Sequence, residues 1–475
     1  MNATATDLDP TLLKCEVGSF AIDSREIRSG DVFFAFSQPE YKDNGFNGEF
    51  EDSTRYVSSA FEAGALACIV RADRFGQHKH YLERHRYRLL FVDDSIAALQ
   101  RLAHGVYLEW NKPVVAITGS AGKTTAKELT AHVLASSGRK VLRNIKNYNN
   151  GLGHPLTVLN LASDKSYDVA VLEMGMSTPM NEIARLCRIT PPDVAVVLNV
   201  LPVHVEHLGS IENVVKAKAE LVEGMKDGGT AVLNADDPSV MTMKALSRGR
   251  NLTFGIQNEA DVMALNVRAE GLGQTRFALT SGGSSAEVSY PLSGRHNISN
   301  ALAAAAVGLT FGMRLDETAA SLQTVAAPPQ RGEVLKFADG FTVIDDSYNS
   351  NPNALVGMVK TLVESGGSAK RKIVVAGEML ELGADSADIH RSVGIEMKMH
   401  GIEILYGIRG FAKNMIDGGR GAGMAEAQFF ESSEEAGEAL AKDIGAGDLV
   451  LVKGSRGVRT EKVIEKLLER FELEM

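Results

Sequence analysis

The sequence predicts an α/β protein of three domains built around parallel sheet, and three observations carry that prediction. Short β-branched runs recur between helical stretches from residue 114 onward. A Gly- and Ser-rich texture interrupts them at 271–285, and prolines punctuate the chain at Pro113 and at Pro328-Pro329. Such apolar runs, too short for helices and bounded by turn residues, read as strands buried on both faces in βαβ units.

Taken in order, residues 1–112 read as a smaller mixed α/β unit, with a strand over 31–36 and a helix over 55–62 running into Gly64. A central unit, 113–327, opens with runs at 114–118, 169–172, 194–200 and 230–233. Turns at 271–273 and 281–285 then separate alternating segments expected to meander, and a helix is expected over 300–311. The prolines at 328 and 329 remove backbone donors and disfavour helix, which sets a boundary near residue 327. A third unit, 328–475, carries the runs 341–344, 373–376, 402–406 and 449–452. A chain of 475 residues accommodates about two to four domains.

With 44% hydrophobic and 23% charged residues, the chain can fill sizeable cores and lacks the charge excess of disordered segments. A net charge of -10 argues against a nucleic-acid partner, although a local basic pocket can still hold a small anion. The three cysteines, Cys15, Cys68 and Cys187, form no CxxC pair and suit a reducing compartment. The first nine residues lack a basic-then-apolar signal pattern, and the most apolar stretch, 301–308, falls short of the roughly 20 residues of a membrane span. A cytoplasmic monomer acting on small molecules is expected.

The sharpest chemical signal is Gly119-Ser120-Ala121-Gly122-Lys123-Thr124-Thr125, between an expected strand and a helix containing Leu129, Val133 and Leu134. Amides at such a turn converge on one point and the helix dipole adds positive potential, the requirements for cradling phosphates. Lys123 would reach the β- and γ-phosphates of ATP, and the Thr124 hydroxyl would ligate Mg2+. The loop is shorter than the standard P-loop, since the first glycine position is held by Ile117.

Ligands of open α/β sheets gather beyond the carboxyl ends of strands. The polar residues just after the apolar runs are Glu173, Asn199 with His204, Asp236-Asp237, Asp345-Asp346, Glu378 and Lys453. Acidic residues repeated there suggest metal and phosphate chemistry. Glu173, ending an apolar run, needs a cation or several donors, and a helix cap or salt bridge would serve as well as Mg2+. His204 and His207 sit in a loop where hydrogen-bonded structural histidines are common. Lys216 and Lys218 read as a solvated helix face. Asn297 and Asn300 could face a base edge or cap the following helix. Lys453-Gly454-Ser455 could clamp an anion or form a surface turn.

Together these segments resemble the Mur ligases, ATP-dependent enzymes that add amino acids or dipeptides to UDP-linked muramyl peptides. The resemblance is carried in family order by residues 119–127, Asn149-Asn150-Gly151 with the following 152–157, 172–176, 207–220, 295–300, 345–352, 377–383 and 453–455. It implies an N-terminal domain for the UDP-sugar, a central P-loop-type ATPase domain and a C-terminal Rossmann-like domain closing over ATP. It also implies a reaction: D-Ala-D-Ala joined to a UDP-muramyl tripeptide through an acyl phosphate, for peptidoglycan synthesis. By resemblance Lys123, Glu173, His204 and Lys218 form the catalytic set, with Thr124, Glu173, His204 and a carbamylated Lys218 as magnesium ligands. The ATP contacts carried over are residues 119–125, Asn297, Asn300, Arg331 and Asp346. The substrate contacts are Ser24, Arg25, Asn149, Asn150, Asn349, Lys453 and Ser455. The segment 42–52 departs from the family's N-terminal pattern. A folate- or cyanophycin-type amide ligase sharing the ATPase domain is the alternative.

Overall fold

The β-branched runs become strands because both of their faces are covered: Val114, Val115, Ala116 and Ile117 are all fully buried. The computed structural model describes residues 8–46, 48–145, 147–176, 181–201 and 210–474. Three sheets organise these residues, each dominated by parallel pairing.

The N-terminal sheet holds β1 (Phe20–Ala21), β2 (Val32–Phe34), β3 (Ala67–Arg71) and β4 (Leu89–Val92), parallel and in that order. The helix Ser95–Trp110 backs it, with the Asp94 side chain accepting from the Ala97 amide at 2.7 Å. This helix also packs on the helix Gly153–Ser163 of the central unit. Phe34, Ile69 and Leu99 thereby share one apolar core with Val114, Ala116 and Leu172.

The central sheet runs β13-β12-β11-β10-β9-β8-β5-β7-β6. Its strands are β5 (Val114–Thr118), β6 (Val141–Arg143), β7 (Val169–Glu173), β8 (Val194–Val197), β9 (Thr230–Asn234), β10 (Arg250–Gly255), β11 (Val262–Ala269), β12 (Thr275–Ser281) and β13 (Ser284–Tyr290). Pairing is parallel from β6 across to β11, and β11, β12 and β13 form the antiparallel meander expected from the glycine-rich texture. The run 194–200 is shorter as a strand than expected. It ends at Val197 because Leu198 to Leu201 turn to meet the phosphate loop.

The C-terminal sheet has the order β14-β15-β19-β16-β17-β18, with β14 (Glu333–Lys336) the antiparallel edge. The others are β15 (Thr342–Asp346), β16 (Arg371–Gly377), β17 (Ile404–Ile408), β18 (Glu426–Phe430) and β19 (Asp448–Lys453). Its two cores lie on its two faces, centred on Val374, Leu405 and Leu451 and on Val375, Val450 and Val452. That alternation is the period-2 signature of a strand covered on both sides. Among the described residues no helix is long and apolar enough to cross a membrane.

Candidate functional site

β5 delivers the chain into Gly119–Gly122, and the helix Lys123–Ser136 starts at once. Gly122 adopts φ +82°, and a Cβ there would lie 2.5 Å from Asn300 Oδ1, so both conformation and room require glycine. Two loop amides are already satisfied from within the protein. Ser120 N–H donates to the Asn199 carbonyl at 3.0 Å, and Ala121 N–H donates to Asn199 Oδ1 at 2.8 Å. The donors left for an anion are the opening amides of the helix, Gly122 through Thr125, which have no backbone partner among the described residues. Asn199, noticed in the sequence only as a polar strand end, thus shapes the loop.

Side chains on the loop and on neighbouring strand ends converge. Lys123 Nζ donates to the Gly119 carbonyl at 2.8 Å. Desolvation lowers its pKa, Glu173 opposes that effect, and Arg331 adds to it. The Thr124 hydroxyl donates to Glu173 Oε2 at 2.7 Å and accepts from Arg331 Nη2 at 3.1 Å. Asn149 Nδ2 donates to Glu173 Oε1 at 2.7 Å. Glu173 is 4% exposed, so its carboxylate is met by donors on both oxygens.

The structure corrects the solvated-face reading of Lys218. On the helix Ile211–Glu223 it lies between Val214 and Leu221 and Val222 at i, i+4, i+7 and i+8 spacing, the buried stripe, and is 2% exposed. Among the described residues its ammonium has no hydrogen-bond partner, and burial, with Lys123 nearby, pushes its pKa well below the lysine range. Lys216 remains exposed. That spacing was the sequence signal available.

Across a cavity of about 500 Å³ stands the C-terminal sheet. Asp346 and Lys453 are register partners at the carboxyl ends of adjacent parallel strands, and they form an ion pair. Lys453 Nζ also donates to the Asn349 carbonyl at 2.9 Å, while Asn349 Oδ1 accepts from the Ser350 amide at 2.9 Å. The Arg331 guanidinium lies 4.2 Å from the centroid of the Tyr348 ring. A smaller adjoining pocket of about 200 Å³ is lined by Ser120, Leu380, Ser455 and Arg456 among others.

The remaining expected site residues divide. Asn297 and Asn300 line the cavity, but not as caps: the helix Arg295–Thr310 begins earlier than expected, after Gly294, and carries both inside its first turns. Asn297 Nδ2 donates to the Ser293 carbonyl at 2.8 Å. Asn150 Oδ1 accepts from the Leu152 and Gly153 amides at 3.1 and 2.9 Å, a local turn at the start of the next helix. Ser24 and Arg25 lie in the turn Ser24–Glu26 of the N-terminal unit, with Arg25 paired to Asp23, and neither lines the cavity. His204 and His207 lie outside the described residues.

The acidic strand ends are largely structural, which corrects their common reading as metal chemistry. Asp236 accepts from the amides of Ile256, Gln257 and Asn258 at 2.7 to 2.9 Å. Asp237 accepts from those of Val200, Ser239 and Val240 at 2.7 to 3.2 Å. Glu378 accepts from Phe411 N–H at 3.0 Å. Asp345 accepts from the Ser347 amide and hydroxyl, and burial raises its pKa to about 6. Turns are rich in unpaired amides, and a carboxylate satisfies several at once.

A shortened phosphate loop on a parallel sheet, with a carboxylate beside its threonine and a second α/β unit facing it across a cavity, defines a nucleotide-dependent group-transfer protein. Comparison with known proteins agrees. Residues 117–308 match the Mur ligase middle domain, and residues 330–456 match the Mur ligase glutamate ligase domain. The UDP-N-acetylmuramoyl-tripeptide–D-alanyl-D-alanine ligase of Bacillus subtilis is 30% identical, over 97% of this chain and 95% of the relative. The Escherichia coli ligase of that name is 35% identical over 94% and 93%. The MurF ligase of Thermotoga maritima in complex with ADP superposes with a TM-score of 0.80 at 28% identity, covering 97% of this chain and 99% of that one. The chain belongs to the Mur ligase family.

Proposed function

We propose that this protein joins D-Ala-D-Ala to a UDP-N-acetylmuramoyl tripeptide at the expense of ATP, in the cytoplasm and as a monomer, for peptidoglycan precursor synthesis. The proposed units are 1–112 for the UDP-linked substrate, 113–327 for ATP, and 328–475, which closes over the nucleotide. The observation that carries the reading is the cavity where Lys123, Thr124 and Glu173 of one unit face Arg331, Asp346 and Lys453 of another.

The chemistry needs two anions to meet. A substrate carboxylate oxygen attacks the γ-phosphorus and ADP leaves. The amine nitrogen of the dipeptide then attacks the acyl carbon, phosphate leaves, and the nitrogen loses a proton. The amides of Gly122 through Thr125, with Lys123 and Arg331, supply the positive potential that lowers the first barrier. Asn199 holds the loop in shape before substrate arrives. Drawn together over the cavity, the two units would keep water from an acyl phosphate that water would hydrolyse.

The residues present suit a divalent cation. Thr124 and Glu173 offer oxygen ligands 2.7 Å apart. Burial disfavours the charged form of Lys218, and its amine, once deprotonated, would take up carbon dioxide, releasing a proton and becoming an anionic carbamate. Bound there, Mg2+ would neutralise the transferring phosphoryl group. To Asn297 and Asn300, which line the cavity, we assign the base. For the peptide substrates we assign Asn149 and Asn150 on the central side, Lys453 on the large cavity, and Asn349 and Ser455 on the smaller pocket. Ser24 and Arg25 belong to the UDP side.

Phosphate release measured with each substrate alone and with both tests this. Release is expected only when the UDP-muramyl tripeptide and D-Ala-D-Ala are both present. Release with a folate or a cyanophycin primer plus an amino acid, and none with the muramyl pair, would refute it.

A further inference from the structure

His390, on the helix Ser386–Met399, is fully buried, and the chemistry above makes no use of it. The Met379 amide donates to its Nε2 at 2.9 Å, so that nitrogen carries no proton. The proton of the neutral ring therefore sits on Nδ1, which donates to the Ser386 carbonyl at 2.6 Å. Burial lowers the ring's pKa against the raising effects of the Ser386 carbonyl and Glu378, which keeps it in the form that can accept.

Met379 opens the segment that leaves β16 and walls the 200 Å³ pocket beside Ser120 through Leu380, Glu381 and Leu382. The segment is strained: Glu381 has φ +65°, a left-handed conformation that a β-carbon disfavours. Such a backbone keeps its shape only where its surroundings over-determine it. Here two successive amides are held from different elements, Met379 by His390 and Leu380 by Ser455 Oγ at 3.0 Å. The Ser455 hydroxyl in turn donates to the Ser350 carbonyl at 3.4 Å, on the pocket's other wall.

We propose that His390 is a positioning residue for the amine substrate: its Nε2 acceptor fixes the 378–382 segment as the wall of the dipeptide subsite. This rests on the ligase reading above. His390 lines neither pocket, so its effect passes through Met379 and is expected chiefly on the substrate that the 378–382 wall meets.

The experiment compares the full-length wild type, His390→Leu and His390→Gln in steady-state phosphate release, varying D-Ala-D-Ala and MgATP separately. Leucine leaves the Met379 amide buried without a partner, whereas glutamine restores an acceptor. Expected is a rise of about tenfold or more in KM for D-Ala-D-Ala in His390→Leu, with KM for MgATP within about twofold of wild type, and recovery of most of the loss in His390→Gln. An unchanged dipeptide KM in His390→Leu, or an equal rise for both substrates, overturns the proposal while leaving the ligase reading intact. A wild type without dipeptide-dependent release overturns the ligase reading, and the proposal with it. A measurement free of the leucine variant is the ¹⁵N spectrum of histidine-labelled wild type, assigned by the signal lost in His390→Gln. Protonation at Nδ1 is expected there, and protonation at Nε2 overturns the proposal.

Discussion

The junction between the N-terminal and central units and the junction between the central and C-terminal units are built from opposite materials. At the first, Phe34, Ile69, Ile96 and Leu99 interdigitate with Val114, Ala116 and Leu172 in one apolar core. At the second, the buried cores stay separate, though the half-buried Leu272 of the central unit packs against the C-terminal one, and the groups facing the cavity are charged or hydrogen-bonding: Lys123, Thr124 and Glu173 against Arg331, Asp346 and Lys453. Apolar burial is non-directional and gives a junction that stays shut. A polar, cavity-bearing junction forfeits that stabilisation and instead offers places for anions, and it can exchange internal contacts for ligand contacts. The contact between the Arg331 guanidinium and the Thr124 hydroxyl is such a bond, made by groups that a phosphate chain would compete for.

Substitutions at the two junctions should therefore have separable consequences. The largest effect is expected for Lys123→Ala, where removing the cation among phosphates should cut kcat/KM by about a thousandfold or more while the thermal midpoint changes little; phosphate release and calorimetry check both. Lys218→Ala should also lose most activity, and short carboxylates such as formate or acetate should restore part of it by occupying the space of a carbamate. Failure of every carboxylate would count against the carbamate alone. At the apolar junction, Leu99→Ala should cost about 2–5 kcal/mol in denaturant unfolding, with the N-terminal and central units unfolding together. Arg331→Ala should raise KM for MgATP by about tenfold, reflecting one lost charge-assisted contact, and leave that unfolding transition in place.

The gentlest slope concerns pH, where the effect accumulates over several pH units. His154 is fully buried beside Thr190, and burial lowers its pKa from 6.5 to about 3. The unfolded chain binds a proton that the folded chain excludes between those values, so stability should fall as pH drops below 6.5. His154→Gln should flatten that slope, by up to about 1.4 kcal/mol per pH unit.

Much of this was legible in the sequence where local pattern and tertiary environment agree. The runs at 114–118, 169–172, 230–233 and 373–376 are strands because nothing but a doubly covered sheet suits them, and the phosphate loop declares itself by its place between β5 and a helix. What stayed hidden depends on partners distant in sequence. β18, Glu-Ala-Gln-Phe-Phe, is an edge strand with one covered face and too little apolar content to stand out. β3 and β4 are ordinary apolar stretches until the sheet gathers them. Asp236 and Asp237 look like ligands because sequence shows the carboxylate and not the amides it satisfies. Lys218 looked solvated by residue type, although its spacing from Val214 and Leu221 put it on the buried stripe. Asn199 and His390 act through backbone groups of other segments, contacts that composition does not signal.

The polar junction's purpose is tested most directly by following oxygen. With ¹⁸O in the tripeptide carboxylate that is to be activated, the phosphate released during D-Ala-D-Ala addition should carry one heavy oxygen, passed to it through the acyl phosphate. Phosphate free of label, formed while the amide product accumulates, would mean that the carboxylate never met the γ-phosphate in this cavity.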